Sequence, residues 1–199
     1  MHTQTSVLAP MRGWGQPAAG PAVVTAGVFD GFHRGHEALV RRAVGHASRL
    51  RLPTVLVTFD PHPLAVLAPG AAPRQLLSIA DRVDHATSLG VDRVVVLPFT
   101  AELAVQPAAG FVADLVDHVR PVRLVVGSNF RCGRGGEGDV ARLRELGREA
   151  GFSVEAVDLV EARGRTCSST EIRRCLADGD VTTARELLGR NDPRLLVST

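Results

Sequence analysis

His33 and His36 lie three positions apart in the run Gly27-Val28-Phe29-Asp30-Gly31-Phe32-His33-Arg34-Gly35-His36. On a helix that spacing puts both imidazoles on one face, where they can address a single ligand. The apolar run Ala22-Val23-Val24 precedes them and the amphipathic stretch Glu37–Val44 follows. The order is therefore strand, glycine-rich turn, first turn of a helix. Glycine lets the backbone approach a ligand closely, and the open amides of a helix N-terminus attract anions. This suits a triphosphate, with the imidazoles donating to oxygens that gain charge as a bond breaks. Two other readings compete. Histidines beside a glycine are often surface-turn residues, and a histidine pair can hold a metal. A zincin pair needs spacing i, i+4 with a glutamate between, and no H-E-x-x-H string occurs. A strand-to-helix junction is where open α/β sheets bind ligands, which favours phosphate.

The elements that must carry this turn are legible as alternating patterns. Short Val/Leu runs predict strands at Val23–Thr25, Thr54–Thr58, Arg93–Leu97, Leu124–Val126 and Val154–Val157. Amphipathic spacing predicts helices near 36–49, 78–89, 108–118, 139–150, 169–177 and 181–188. Gly90, Gly151 and Gly189 follow three of them as left-handed caps. Such alternation predicts one α/β domain, residues 22–190, with a parallel sheet covered on both faces. Residues 1–21, rich in Ala, Gly, Pro and Gln, read as a flexible arm, and 191–199 as a tail.

Composition narrows the chemistry. All 23 basic residues are arginine, so a Walker A loop and Schiff-base catalysis, which require lysine, are excluded. Tyrosine is also absent. A net charge of +2 gives no reason to expect nucleic acid. No apolar run approaches the ~20 residues of a membrane span, and the first ten residues do not read as a secretory signal. Cys132, Cys167 and Cys175 lack zinc-ribbon spacing and fit reduced thiols, so a cytoplasmic location is expected.

Three further segments hold candidate residues. Thr58-Phe59-Asp60-Pro61-His62-Pro63 ends a strand and by itself is only a stiff turn. Gly127-Ser128-Asn129-Phe130-Arg131-Cys132-Gly133 continues as a glycine-rich loop to Asp139, a plain helix N-cap. Cys167-Ser168-Ser169-Thr170-Glu171-Ile172-Arg173 contains a capping box, Ser168 with Glu171. The same helix start offers hydroxyls and amides to phosphate, and Arg173 a guanidinium fork one turn on.

Taken together and in order, these four segments resemble the FAD synthetase branch of the nucleotidylyltransferase superfamily: G-x-F-D-G-x-H-x-G-H, T-F-x-P-H-P, G-x-N-F ending in G-D, and S-S-T-x-I-R. The likeness covers about residues 11–190, and Met11-Arg12 with Trp14 looks like a family N-terminus, so Met11 is an alternative start. The resemblance implies a Rossmann-like three-layer α/β/α fold and transfer of AMP from ATP to FMN, giving FAD and pyrophosphate. It implies that Gly27, Phe29, Asp30, His33, His36, Ser168, Ser169, Thr170 and Arg173 bind ATP. His33, His36, Asn129 and Arg173 would be catalytic, and Phe59, His62, Asn129, Phe130 and Cys132 would face the acceptor. Mg²⁺ would accompany ATP, with no protein metal cage. Neither nucleic acid nor membrane is an expected partner.

Two departures stand out. Cys132 occupies a position usually filled by phenylalanine, so the acceptor is FMN or another phosphorylated small molecule. The usual bacterial protein continues into a riboflavin kinase, whose P-T-x-N string is missing here; no kinase activity is expected. A catalytically silent nucleotide- or flavin-binding regulator is the remaining alternative.

Overall fold

The computed structural model describes residues 11–192. Six parallel strands form one sheet: β1 (Met11–Arg12), β2 (Ala22–Ala26), β3 (Thr54–Asp60), β4 (Arg93–Pro98), β5 (Pro121–Gly127) and β6 (Ser153–Val157). Their spatial order is β1-β4-β3-β2-β5-β6. The order reverses at β2, which pairs with β3 on one side and β5 on the other. Such a reversal leaves a crevice beyond the carboxyl ends of the strands, and the glycine-rich turn after β2 opens into it.

Helices cover both faces, so the strands are apolar on both sides as a parallel sheet requires. On one face α1 (Arg34–Leu50) and α3 (Ile79–Ser88) bury Leu39, Val40, Ala43, Val83 and Ala86 against Val23, Leu56, Val94 and Val96. On the other, α5 (Ala108–Val119) and α6 (Val140–Glu149) bury Phe111, Leu115, Leu143 and Leu146 against Val24, Val57, Val95 and Val126. A third, smaller cluster joins α7 (Ser169–Ala177) and α8 (Val181–Leu188) through Ile172, Cys175, Leu187 and Leu188. The six predicted helices and five predicted strands are all present, and Gly90, Gly151 and Gly189 take φ of +93°, +85° and +80°. No helix among the described residues is long and apolar enough to cross a membrane.

Several elements differ from the sequence-based expectation. Part of the expected flexible arm is ordered: Met11 and Arg12 pair with Val95 and Val96 of β4. Trp14 stacks on His118, ring centroids 5.6 Å apart, and packs against Phe111. Two residues make too short a run to show alternation, and Trp14 is a lone aromatic in a Gly/Pro-rich context. Residues 1–10 and 193–199 lie outside the described residues. Asp192, placed in the expected tail, is buried and paired with Arg190. Two short helices, α2 (Pro63–Leu67) and α4 (Ala101–Val105), were not anticipated, nor was the small hairpin of β7 (Glu161–Ala162) with β8 (Arg165–Thr166). None is long enough to show a periodicity.

Candidate active site

The turn between β2 and α1 is held in an unusual backbone conformation. Phe29, Gly31 and Phe32 all have positive φ, at +53°, +82° and +43°. A left-handed non-glycine residue costs on the order of 1–3 kcal/mol and persists only where its surroundings over-determine it. Here they do. Phe29 and Phe32 are buried and stacked on each other with centroids 5.6 Å apart. Arg190 donates to the carbonyls of Gly31 and Phe32 at 2.9 and 2.7 Å. The Ser169 hydroxyl donates to the Asp30 carbonyl.

That turn delivers His33 as the N-cap of α1. Its Nδ1 accepts from the His36 amide at 3.4 Å. With Nδ1 acting as acceptor, a neutral His33 carries its proton on Nε2 and is a donor there. The two imidazoles lie face to face, centroids 3.7 Å apart, and His36 also packs against Phe29 at 5.1 Å. Gly35 between them is tightly enclosed: a Cβ there would stand 3.1 Å from His33 Nδ1 and 3.3 Å from the Cys167 carbonyl, so a side chain would press on both. Burial, reinforced by the nearby Arg190 charge, lowers the His33 pKa to about 4. Burial also holds His36 well below its ordinary value, helped by the charges of His33, Arg82 and Arg190. At neutral pH both rings are therefore uncharged hydrogen-bonding groups.

His33, Gly35 and His36 line a cavity of about 130 Å³, together with Gly127, Asn129, Asp158, Thr166, Cys167 and Ser168. Next to it lies a larger cavity of about 430 Å³, walled by Phe59, Phe99, Phe111, Phe130, Leu103 and Cys132. Asn129 lines both. Gly27 and Val28 lie in the wall of the larger one. The loop after β5 thus places Asn129 where the two spaces adjoin.

Other expected site residues are committed elsewhere. Asp30 is buried; its Oδ1 accepts from the amides of Leu76 (2.8 Å) and Leu77 (3.2 Å) and from Arg82 (3.4 Å). Its Oδ2 pairs with Arg173. Arg173 also donates through Nε to the Arg74 carbonyl at 2.8 Å, so two of its three nitrogens are bonded to protein, and it lines neither of the two cavities. Ser168 caps α7 by accepting from the Glu171 amide at 3.2 Å while lining the smaller cavity. The reciprocal half of the expected capping box is replaced: Glu171 pairs with Arg165 and Arg174. Thr170 is exposed and His62 caps α2 by accepting from the Leu64 amide; neither lines either of these two cavities. Sequence reasoning missed Arg82 and Arg190 near the turn, and Phe99, Leu103 and Phe111 in the larger cavity. Apolar residues on helices remote in sequence carry no signal that separates a pocket wall from a core.

Comparison with known proteins now bears on this geometry. Residues 16–171 match the FAD synthetase family. The chain belongs to that family. It is 37% identical over 168 residues to the bifunctional riboflavin kinase/FMN adenylyltransferase of Escherichia coli strain K12, covering 84% of this chain and 54% of the relative. The Pseudomonas fluorescens protein of the same name is 41% identical over 169 residues, with the same coverage. The chain spans about half the length of these curated relatives. A putative bifunctional protein of Geobacillus thermodenitrificans is 35% identical, covering 84% of this chain and 89% of that one. A crystal structure of a protein named macrolide-efflux protein, from Streptococcus pneumoniae, superposes with a TM-score of 0.78 at 27% identity, covering 92% of this chain and 60% of that chain. Membership in the FAD synthetase family and the parallel sheet with its switch point agree with the fold expected from the sequence.

Proposed function

We propose that this chain transfers the adenylyl group of ATP to FMN, releasing pyrophosphate and forming FAD. The observation that carries the reading is Asn129, which lines both a small cavity at a helix N-terminus, bordered by His33, His36, Asp158 and Ser168, and a larger aromatic one. A reaction joining two substrates needs such a shared border. The FMN phosphate oxygen attacks the α-phosphorus of ATP, and the bond to the pyrophosphate oxygen breaks. Catalysis of this kind rests on positioning and on neutralising charge that develops at the transition state.

In this reading the smaller cavity takes the triphosphate. His33 donates through Nε2, and His36 lies beside it on the first turn of α1, where the open amides favour anions. Ser168 contributes at the start of α7. Arg173, anchored on Asp30 and Arg74, lies outside both cavities and would reach a phosphate oxygen only through its remaining Nη1. The flavin ring would occupy the larger cavity between Phe59, Phe99 and Phe130, bounded by Cys132, with its phosphate towards Asn129. Among the described residues no group of three or more His, Cys, Asp or Glu is placed to hold a metal. Asp158 is the one carboxylate lining the smaller cavity. This suits Mg²⁺ carried by phosphate oxygens and water, with Asp158 as the available protein oxygen ligand. When bound, the ion would spread the charge of the triphosphate. The three free cysteines support a reducing, cytoplasmic setting for this reaction.

The test is direct: purified protein with FMN, ATP and Mg²⁺ should give FAD and pyrophosphate by chromatography. A second reading, adenylyl transfer to a different phosphorylated acceptor, is favoured by one observation, the cysteine in the aromatic wall. Absence of FAD together with AMP transfer to another member of a panel of phosphorylated acceptors would select it.

A further inference from the structure

Arg190 follows α8, beyond the residues 16–171 of the family-model match, and all three of its guanidinium nitrogens are used next to the candidate site. Nη1 donates to the Phe32 carbonyl at 2.7 Å, Nη2 to the Gly31 carbonyl at 2.9 Å, and Nε to Asp192 at 3.2 Å. Gly31 and Phe32 are the last residues before His33, and both have positive φ. The helix that carries Arg190 is docked on the start of α1: Arg34 Nε donates to the Glu186 carbonyl at 2.6 Å. Gly189 abuts the Arg34 side chain, and a Cβ there would stand 2.7 Å from it. Asp192 is buried, and its carboxylate lies 3.8 Å from His85, which in turn stacks on Phe32 at 5.6 Å. The turn is thus clasped from the α8 side by a planar fork whose own position is fixed by a buried carboxylate.

We propose that Arg190 is a positioning residue of the nucleotide site, holding the Gly31 and Phe32 carbonyls so that His33 caps α1 with its Nε2 facing the smaller cavity. Two adjacent carbonyls and a carboxylate need three donors in one plane, which arginine supplies and lysine does not. The same guanidinium acts on His33 through its charge, opposing protonation of a ring that burial already keeps neutral. Other titratable groups at that cavity are His36, stacked on the ring, and Asp158 and Cys167 in its lining; Arg82 acts on His36.

The kinetic arm rests on the proposed adenylyl transfer; a second arm does not. Arg190→Gln and Arg190→Lys are purified and checked for folding by circular dichroism and thermal melting. Steady-state FAD formation should show kcat lowered on the order of ten- to a hundred-fold in both, since displacing a reacting group by about 1 Å has effects of that size. KM for FMN should not change, because Arg190 is not in the lining of the larger cavity. The second arm is ring NMR of the histidines, with His33 assigned from a His33→Gln variant. In Arg190→Gln the His33 titration should move up from about 4 while staying below 6.5, because burial remains the larger cause. In Arg190→Lys, which keeps the charge, it should stay near the parent value while kcat remains low. That split separates a positioning fork from a general loss of stability, which would move the KM for FMN as well. Should Arg190→Gln not fold, Arg190→Lys alone decides: unchanged kcat overturns the proposal. If the parent forms no FAD, the proposed function fails, and the His33 titration together with binding of a non-hydrolysable ATP analogue still decides the role of Arg190. A folded Arg190→Gln protein that matches the parent in His33 titration and in kcat or analogue affinity would remove it.

Discussion

On one side of Asn129 the cavity wall is a hydrogen-bonded turn, two neutral imidazoles and a helix N-terminus; on the other it is a ring of phenylalanines. The smaller, polar side depends on a buried network. Asp30 ties together Leu76, Leu77, Arg82 and Arg173, and Arg190 ties the turn to α8. The larger side depends on packing, with Phe59 in edge contact with Phe99 at 5.8 Å and close to Phe111 at 6.5 Å. A polar network transmits the loss of one member to the others, since buried groups left unpaired are costly. An aromatic wall yields locally and changes affinity by smaller steps. Substitutions on the two sides should therefore differ in kind as well as in size.

Asp30→Ala should be the most damaging. It removes the carboxylate paired with the wholly buried Arg82, leaving Asp60 as the remaining acidic neighbour, and frees Arg173 from its ion pair. Removing one partner of a buried ion pair costs about 3–5 kcal/mol. At about 2–4 °C per kcal/mol for a chain of this size, the melting midpoint should fall by roughly 10 °C. Differential scanning calorimetry measures it, and a shift of only a degree or two would mean the network is not a unit.

His36→Ala should leave the fold intact and act on rate. Charge accumulates on the leaving pyrophosphate, so a donor at that point matters most in the transition state. Loss of one such interaction typically lowers kcat on the order of 10²–10³, while calorimetric ATP affinity changes much less. A variant that turns over at the parental rate would take His36 out of the reaction.

The same two histidines make stability depend on pH in the acid range on the polar side. His33 titrates at about 4 in the folded protein against an ordinary value of 6.5. Between those values the unfolded chain takes up a proton at His33 that the folded chain refuses, so stability drops as pH falls through that window. For one group the total is on the order of a few kcal/mol, and His36 acts in the same direction. Urea unfolding of parent and His33→Gln at pH 7 and pH 4.5 isolates the effect as the difference between their pH slopes. Equal slopes would contradict it.

Legibility in the sequence follows the same divide. The polar side could be read because its parts are local: His33, Gly35 and His36 fall within four positions, and the caps Asp139 and Ser168 stand directly before their helices. What could not be read was where side chains turn. Asp30 and Arg173 carry groups suited to phosphate, but they meet each other across the fold and bind the turn together. Arg190 was invisible for the same reason, being one arginine among many until α8 brings it to Gly31 and Phe32. On the aromatic side, Phe59 and Phe130 stand beside recognisable motifs. Phe99, Leu103 and Phe111 come from segments whose apolar residues look like ordinary core, and much of Phe111 is core. β1 escaped because two residues cannot display a period.

Cys132 is where the aromatic side departs from its own pattern, and the effect there should be the smallest. Its thiol lines the larger cavity, 3.7 Å from the Gly138 carbonyl, and burial with the nearby Glu137 charge pushes its pKa up to about 12. At neutral pH it is therefore a protonated, weakly polar wall atom and not a nucleophile. On the loop side there is no room: a Cβ at Gly138 would lie 2.8 Å from the sulfur. A larger side chain at 132 must then extend into the cavity, where it would meet the acceptor. If the acceptor is FMN, Cys132→Phe adds an aromatic contact, typically about 1 kcal/mol, and should tighten FMN binding by several-fold. If the acceptor is smaller, the same ring fills the space it needs and activity on that substrate falls. Calorimetry of FMN binding to parent and variant, each with an ATP analogue present, distinguishes the two. Tight FMN binding by the parent that the phenylalanine fails to improve would show that Phe59, Phe99 and Phe130 already supply the aromatic contact, and that the cysteine is merely tolerated.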